Sequence, residues 1–237
     1  MKSTPFFRQL VRMALTVTAF TSTATALTTT PAWAAGHDVF LPGVPSPSVQ
    51  PITGRNSGSI VVATMSGGIV TCVDTAASKA LTITGTVRVG TGSDPIGSLN
   101  GLTFSNCTIS GLSLVAVMTA QNLPWSFSSP GSTSSGVTPA RLGNARIVLS
   151  IPHIACSATF QGSTSSNGFI NAAHINPTSA GAASTLSLPI SSGTFYATGV
   201  SASCPSSIVK WGDQVLVGGA IELRGVNSTA NEGPTIT

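Results

Sequence analysis

The sequence predicts an all-β protein, a disulfide-stapled β-sandwich or barrel. Short runs rich in Val, Ile and Thr recur along the chain and are separated by Gly, Ser, Pro and Asn, which is the pattern of strands and turns. No stretch repeats its apolar residues with the period of an amphipathic helix. The chain contains four cysteines, an even number, and its first residues have the pattern of an export signal.

The first 34 residues have the features of a secretory signal peptide. A basic start precedes residues 13–27, which are uncharged and mostly small or apolar. This run is too short and too rich in Thr for a membrane-spanning helix, which needs about 20 apolar residues. The small–x–small site Ala32-Trp33-Ala34 favours cleavage after Ala34, with Ala24-Thr25-Ala26 as an alternative. We therefore expect a secreted protein of 237 − 34 = 203 residues, free in the medium or associated with the envelope.

Removal of the signal changes the charge balance. Three of the ten Lys and Arg precede residue 35 and all six acids follow it, so the mature net charge is 7 − 6 = +1. No basic patch is interleaved with aromatic residues, and nucleic-acid binding therefore lacks its electrostatic driving force. Only 7% of the residues are charged, so the polar surface must consist mainly of hydroxyl and amide groups. Such a surface suits close contact with a glycan, a wall polymer or another protein.

Residues 35–56 are predicted to form an extended N-terminal arm or an edge segment. Proline lacks a backbone N–H and is rare inside sheets, and this segment contains four prolines. They are Pro42, Pro45, Pro47 and Pro51.

Residues 57–225 are predicted to form the β-rich domain. In the first half, Ser66-Gly67-Gly68 separates two strands of a hairpin, and Leu81–Val89 alternates apolar and polar residues as a half-buried strand does. A loop is expected over Gly90–Ser98. The strands predicted here are Ser59–Met65, Ile69–Val73, Leu81–Val89, Leu102–Cys107 and Leu112–Ala120.

The second half of the domain repeats this pattern. Its predicted strands are Ala145–Ile151, Ile154–Phe160, Gly168–Ile175, Ser184–Ile190, Thr194–Ala202 and Gln214–Leu223. Each half carries one Cys on an early strand and one Cys after a later strand, which raises the hypothesis of two duplicated halves. A sub-boundary would then lie in the Ser, Gly and Pro-rich segment 128–142. Residues 226–237 are predicted to be a polar tail.

The cysteines are predicted to form two disulfides. Four cysteines allow three connectivities, and pairing in sequence order, Cys72 with Cys107 and Cys156 with Cys204, is the expected one. A metal site would need close pairs such as CxxC or supporting histidines, which are missing. No cofactor is expected.

Two short motifs resemble a group of proteins of unknown function. Phe104-Ser105-Asn106-Cys107 and Asn122-Leu123-Pro124-Trp125 occur together with a signal peptide and an early Cys in a strand. This combination resembles uncharacterised secreted β-rich proteins of actinobacteria. The resemblance implies export and a β-rich fold, and it implies no activity and no site residues.

Catalytic groups are not recognisable in the sequence. No Gly-x-Ser-x-Gly pentad is present. His153 and His174 have no orienting motif around them, and the acids Asp74 and Asp213 fit turn positions better than a glycosidase pair. We therefore expect no catalytic residues.

Two kinds of binding site remain as hypotheses. Cleavage after Ala34 would make Ala35, Gly36 and His37 the new N-terminus, whose nitrogens suit square-planar Cu(II) or Ni(II). Aromatic side chains in a hydroxyl-rich surface provide platforms for sugars, and the candidates are Trp125, Trp211 and Tyr196. A place in the core is the alternative for each Trp.

The expected function is a secreted, non-enzymatic protein that binds or coats the cell exterior, with a wall glycan or a protein as its partner. Contact with a membrane is not expected after signal removal, and the oligomeric state is left open. Two alternatives stay open: a pore-forming or lipid-handling β-barrel of the outer envelope, and an extracellular hydrolase without a recognisable motif.

Overall fold

The strands cover most of the described chain. A computed structural model describes residues 36–191 and 193–237, so the predicted signal peptide lies outside the described residues. Within these ranges two short 3₁₀ turns, Pro152–Ile154 and Thr229–Asn231, accompany sixteen strands. The strands are β1 His37–Phe40, β2 Ser48–Asn56, β3 Ile60–Thr64, β4 Ile69–Cys72, β5 Leu81–Ser93, β6 Gly97–Phe104, β7 Cys107–Ile109, β8 Leu114–Gln121, β9 Trp125–Ser128, β10 Val137–Ile151, β11 Cys156–Gln161, β12 Gly168–Ile175, β13 Ser184–Ser191, β14 Tyr196–Val200, β15 Val215–Gly225 and β16 Thr235–Ile236. The all-β prediction is confirmed.

The strand β5 shows how the sequence pattern becomes structure. Leu81, Ile83 and Val87 are buried, whereas the intervening Thr82 and Thr84 are exposed. Successive side chains of a strand point to opposite faces, so a sequence with a period of two gives one apolar and one polar face. The predicted loop over Gly90–Ser98 is shorter than expected, because β5 continues to Ser93 and β6 begins at Gly97.

The antiparallel pairings close on themselves. The strands β15, β2, β5, β6, β9, β10, β12 and β13 are hydrogen-bonded in that order, and β13 returns to β15. A second path leads from the N-terminal part of β15 through β3, β4, β7 and β8 to the C-terminal part of β10. Strand β11 then pairs with β10, and β14 pairs with β11. The two long strands β10 and β15 therefore belong to both paths. The fold is sandwich-like or barrel-like, as predicted.

The inward face of this sheet forms the core. Its largest fully buried side chains come from widely separated strands and are Trp125, Phe127, Phe160, Phe195, Leu41, Ile52, Ile60, Leu81, Ile96, Leu99, Ile147 and Leu149. Full burial of an aliphatic or aromatic side chain contributes about 1.5–3 kcal/mol to the free energy of folding. This core covers both halves of the sequence, and all described residues belong to one compact unit. The duplication remains a prediction.

The segments expected to flank the domain are paired into the sheet. Strand β2 lies between β15 and β5, β1 pairs with β5, and β16 pairs with β1. The N-terminal arm and the C-terminal tail are therefore parts of the fold, and this corrects the predicted boundaries.

The position of Pro51 explains why a proline is tolerated in strand β2. Its carbonyl accepts the Val226 N–H at 3.0 Å, just beyond the last β2–β15 pair, so its missing N–H falls where the ladder ends.

The segment 128–142, suggested as a sub-boundary, includes the end of β9 and the beginning of β10. Only residues 129–136 separate β9 from β10, and the N-terminal part of β10 pairs with both β9 and β12. A bulge between Leu142 and Ala145 follows, with Asn144 at a φ of +63°. Asparagine adopts this left-handed conformation more readily than most residues.

Both disulfides connect the cysteines in the predicted order. Cys72 and Cys107 are directly opposite each other on β4 and β7, with 3.9 Å between their Cα atoms. Cys156 at the start of β11 is bonded to Cys204, which follows β14, with 4.4 Å between the Cα atoms. Disulfides of this kind persist in oxidising compartments, so they indicate an extracellular or similarly oxidising environment. In the described ranges no helix has the length and apolar character needed to cross a membrane.

Removal of either disulfide is expected to destabilise the protein. The Cys72→Ala/Cys107→Ala double variant opens a cross-link over 35 residues and the Cys156→Ala/Cys204→Ala variant one over 48 residues. Loop-closure entropy predicts a loss of about 4 kcal/mol in the free energy of unfolding for each pair. Urea denaturation of the oxidised proteins measures this loss. Peptide mapping that linked Cys72 to a cysteine other than Cys107 would contradict the structure.

Candidate functional site

A row of hydroxyl groups covers the outer face of β2, β5, β6 and β9. The register pairs Thr53 of β2 with Thr84 of β5, Thr86 with Ser98 of β6, and Ser98 with Ser126 of β9. Neighbouring strands are about 4.8 Å apart, and alternate residues of one strand about 7 Å apart. These residues therefore present a regular array of hydroxyl groups to solvent. We call this surface, together with the outward residues of β15 beside β2, the hydroxyl groove.

Two glycines keep the hydroxyl groups of this surface accessible. Gly101 is opposite Thr84, and a Cβ atom at Gly101 would lie 2.5 Å from the Thr84 Oγ1 atom. Gly143 is opposite Ser126, and a Cβ atom there would lie 2.5 Å from the Ser126 Oγ atom. Any side chain at either position would displace the neighbouring hydroxyl group. Small residues at both positions thus leave space beside the hydroxyl groups.

Three depressions lie side by side along this face. The largest, about 470 Å³, is lined by Thr53, Thr82, Thr84 and the charged residues described below. The second, about 270 Å³, is lined among others by Thr86, Ser98, Ser126 and Arg88. The third, about 400 Å³, lies on the other side of Arg88 and Val49 and includes Asp94. Because Thr84 and Thr86 are on the same face of one strand, the depressions together form an extended shallow groove.

The charged residues of the largest depression bind other parts of the protein. The Arg55 side chain donates to Glu222 at 3.4 Å. The Arg224 guanidinium donates to the carbonyl oxygens of Gly181 and Asn231 at 3.2 and 3.3 Å. Arg55 and Glu222 therefore neutralise each other and the Arg224 guanidinium is engaged by backbone carbonyls, while threonine side chains line the space between these charged residues.

The two histidines considered as catalytic bases lie in different environments. His153 is exposed in the first 3₁₀ turn, whereas His174 is fully buried on the inward face of β12. Neither ring nitrogen of His174 makes a hydrogen bond of good geometry, although the backbone of Pro234 lies close to the ring. Burial lowers the pKa of His174 to about 4, so its neutral form is favoured.

The two carboxylates considered as a glycosidase pair lie in a loop and in a turn. Asp74 accepts hydrogen bonds from the Lys79 ammonium group, the Ala80 N–H and the Asn56 amide, which lower its pKa to about 2. Asp213 accepts the Lys210 N–H at 2.8 Å within a turn. Among the described residues no group of three His, Cys, Asp or Glu side chains is suited to hold a metal ion.

The aromatic candidates are separated by the structure. Trp125 is buried in the core and its indole N–H donates to the Gln121 carbonyl at 2.8 Å, so it has the place in the core that the sequence offered as the alternative to a sugar platform. The alternation of β9 directs Trp125 and Phe127 inwards and the serines outwards. Trp211 is 70% exposed and Tyr196 is partly buried. These two lie in adjacent segments, because the Gly212 N–H donates to the Ala197 carbonyl at 2.7 Å.

The proposed copper or nickel site falls partly outside the described residues. Ala35 is outside them, Gly36 packs against the backbone of Gly92, and His37 is buried on β1 opposite Ser93. The N-terminal metal site stays a prediction.

The hydroxyl groove was not identified from the sequence. A signal was present, since Thr82, Thr84 and Thr86 alternate with apolar residues in β5. The contributions of Thr53, Ser98 and Ser126 depend on strand pairings between distant segments, which alternation alone does not specify.

No protein-family model, no curated protein and no solved structure matches this chain. The resemblance to secreted actinobacterial proteins therefore stays a prediction.

The burial of His174 is expected to make stability depend on pH. Its folded-state pKa of about 4 is below the ordinary value of 6.5, so the unfolded chain binds more protons between these values. The stability that this residue contributes is complete above pH 6.5 and is lost as the pH falls towards 4, by about 3 kcal/mol in total. Denaturation with urea between pH 4.5 and 7.5 measures the loss while avoiding the titration of Asp74.

The His174→Leu variant is expected to flatten this pH dependence, because it removes the titrating group. The His153→Gln variant is the control, since the exposed His153 should leave the profile unchanged. An unchanged slope in His174→Leu would show that other groups cause the pH dependence.

Proposed function

We propose that the protein is a secreted, non-enzymatic binding module whose hydroxyl groove binds an extended polysaccharide of the cell exterior. The observation that carries this proposal is the continuous outer face of β2, β5, β6 and β9, where three adjacent depressions are lined by Thr and Ser hydroxyl groups. A sugar chain presents hydroxyl groups at regular intervals, and each hydroxyl oxygen of the groove can accept a hydrogen bond from it.

The shape and chemistry of the groove favour a polymer over a small molecule. Pockets for small molecules bury most of the ligand's surface, whereas these depressions are open to solvent and combine apolar surface with hydroxyl groups. One hydrogen bond contributes only about 0.5–1.5 kcal/mol, so useful affinity needs several at once. An extended ligand that spans the depressions makes several contacts without a deep pocket.

Secretion is part of this proposal. The predicted signal peptide supports it, and so do the two disulfides, which require an oxidising environment to form. Fractionation of the producing cells, with detection by immunoblot, tests it. Protein in the envelope fraction that salt or wall digestion releases would support binding to a wall polymer, and protein in the cytosol would contradict secretion.

The hydroxyl groups of the groove are expected to contribute directly to binding. The triple variant Thr53→Val/Thr84→Val/Thr86→Val keeps β-branched side chains of the same shape and removes three hydroxyl groups. Affinity for isolated wall polysaccharide should fall about 10-fold or more, because three hydrogen bonds of about 0.5–1.5 kcal/mol each are lost. Biolayer interferometry with immobilised polysaccharide measures this change.

The matched control is Thr71→Val/Thr108→Val on β4 and β7, an opposing pair of outward residues that lies outside the groove. It should bind as the unmodified protein does. Equal losses in the two variants, or no loss in either, would refute the assignment of the groove.

A second candidate function, a coat formed by copies of this chain, is supported by an uncharged part of the sheet. Six strands, β3, β4, β7, β8, β11 and β14, contain no Asp, Glu, Lys, Arg or His residue. Val115 and Val117 of β8 are 63% and 47% exposed, and Ile69 of β4 is 41% exposed. Two such surfaces can come into contact without burying an unpaired charge, which would be costly.

Charges placed on β8 are expected to prevent association of copies. If the chain forms a coat, the protein should sediment as concentration-dependent oligomers and the Val115→Lys/Val117→Lys variant as a monomer, since each lysine would have to be desolvated. Val226→Lys is the control, because Val226 is exposed after β15 at a distance in sequence from these strands. Analytical ultracentrifugation distinguishes the cases, and a monomer at all concentrations would rule out this second function.

A further inference from the structure

The hydroxyl groove contains one guanidinium group that the protein itself does not use. Arg88 is an exposed, outward residue of β5, in line with Thr84 and Thr86. Within the described ranges its side chain has no ion pair or hydrogen bond, whereas Arg55 is paired with Glu222 and Arg224 binds two carbonyl oxygens.

The surroundings of Arg88 favour an anion on one side of the residue. The depression of about 270 Å³ is lined by Arg88 and by the hydroxyl groups of Thr86, Ser98 and Ser126, and no acidic residue lines it. The depression on the other side includes Asp94, whose carboxylate would repel an anion. The candidate anion site therefore lies on the side of Arg88 that faces β6 and β9.

The hydrogen bonds around this depression are also informative. The hydroxyl groups of Thr86 and Ser98 are 3.1 Å apart, and the Ser98 hydroxyl donates to the Asn100 side-chain oxygen at 2.9 Å. Thr86 must then donate to Ser98, so both hydroxyl protons are already engaged. These two groups can accept hydrogen bonds from a ligand but have no proton left for an anion. Arg88 supplies five N–H donors in a planar fork that matches a carboxylate or a phosphate.

We propose that the groove is selective for an anionic polysaccharide and that Arg88 binds its oxyanion. This inference rests on the proposed function, because the sugar hydroxyl groups would lie along the threonines while the carboxylate or phosphate lies between Arg88 and Ser126. The chemistry shared by possible ligands is an oxyanion on a polyhydroxylated chain, supplied either by a uronic acid or by a phosphodiester.

The experiment compares three immobilised polymers by biolayer interferometry with the full-length secreted protein. The polymers are polygalacturonate, a poly(glycerol phosphate) and neutral dextran. We expect at least one of the two anionic polymers to bind about 10-fold more tightly than dextran, and binding to weaken as salt is raised because the guanidinium is exposed. The polymer that binds more tightly identifies the source of the oxyanion.

Three variants assign the effect to Arg88. Arg88→Gln should reduce anionic binding to the level of dextran, and Arg88→Lys should give an intermediate affinity because it keeps the charge and loses the planar fork. Lys210→Gln removes the same charge from an exposed residue of the loop before β15 and should leave binding unchanged. All three are surface substitutions, and thermal denaturation verifies that they remain folded.

The outcomes separate this inference from the proposed function. If dextran binds as tightly as the anionic polymers and the threonine-to-valine variant weakens all three, the groove binds glycans but Arg88 does not select among them. Equal effects of Arg88→Gln and Lys210→Gln would likewise overturn the inference and indicate non-specific attraction by net charge. If none of the three polymers binds, both this inference and the polysaccharide-binding function are refuted.

Discussion

The return of β13 to β15 is the constraint on which the rest of the structure depends. It closes the hydrogen-bonded path that begins with β15 and β2, so the long inner strands have partners on both sides. Unpaired strand edges invite association with other chains, and closure gives each of the eight strands on this path a partner on both sides without any need for charged residues. A chain with only 7% charged residues can therefore remain a defined β-protein, because its backbone is paired internally. Closure also separates an inward face, which forms the apolar core, from an outer face that is rich in Thr and Ser.

The chemistry of the outer face follows from the way the few ionisable groups are used. Asp74, Asp213 and Glu232 accept backbone N–H groups in loops, and Arg141 lies over the ring of Phe169 at 4.0 Å from its centroid. His174 is enclosed in the core. These groups are engaged in stabilising turns or in filling the interior. The outer face of β2, β5, β6 and β9 instead presents an array of hydroxyl groups, which supports the proposal of a binding surface there.

Local patterns in the sequence predicted much of the sheet, and non-local pairing determined the remainder. The alternation in Leu81–Val89 was sufficient to identify β5, and Gly168–Ile175 coincides with β12. Strand β2 was missed because Pro51 argues against an inner strand. The hydrogen-bonded pairing of β2 with β15 ends beside Pro51, which explains why a proline is tolerated there. The short β9 was missed for a related reason, since Trp125-Ser-Phe-Ser is too brief to show a period. The groove combines Thr53, Ser98 and Ser126 from three strands, and only the register brings them together.

The scarcity of charge gives Arg88 an influence that it would not have on an ordinary surface. On a surface with many interspersed ions, neighbouring charges of both signs largely cancel the field of one exposed guanidinium. Here Arg55 and Glu222 neutralise each other, the Arg224 guanidinium is engaged by two carbonyl oxygens, and Asp94 lies in the depression on the other side of Arg88 from β6 and β9. An oxyanion approaching this part of the groove therefore meets one cation among neutral dipoles. In the proposed complex the hydroxyl groups would provide many weak and similar contacts along the ligand, and a single charge would determine its alignment. Recognition by such a surface depends on the spacing between an anionic group and the sugars beside it, which is a property of polymers with a regular repeat.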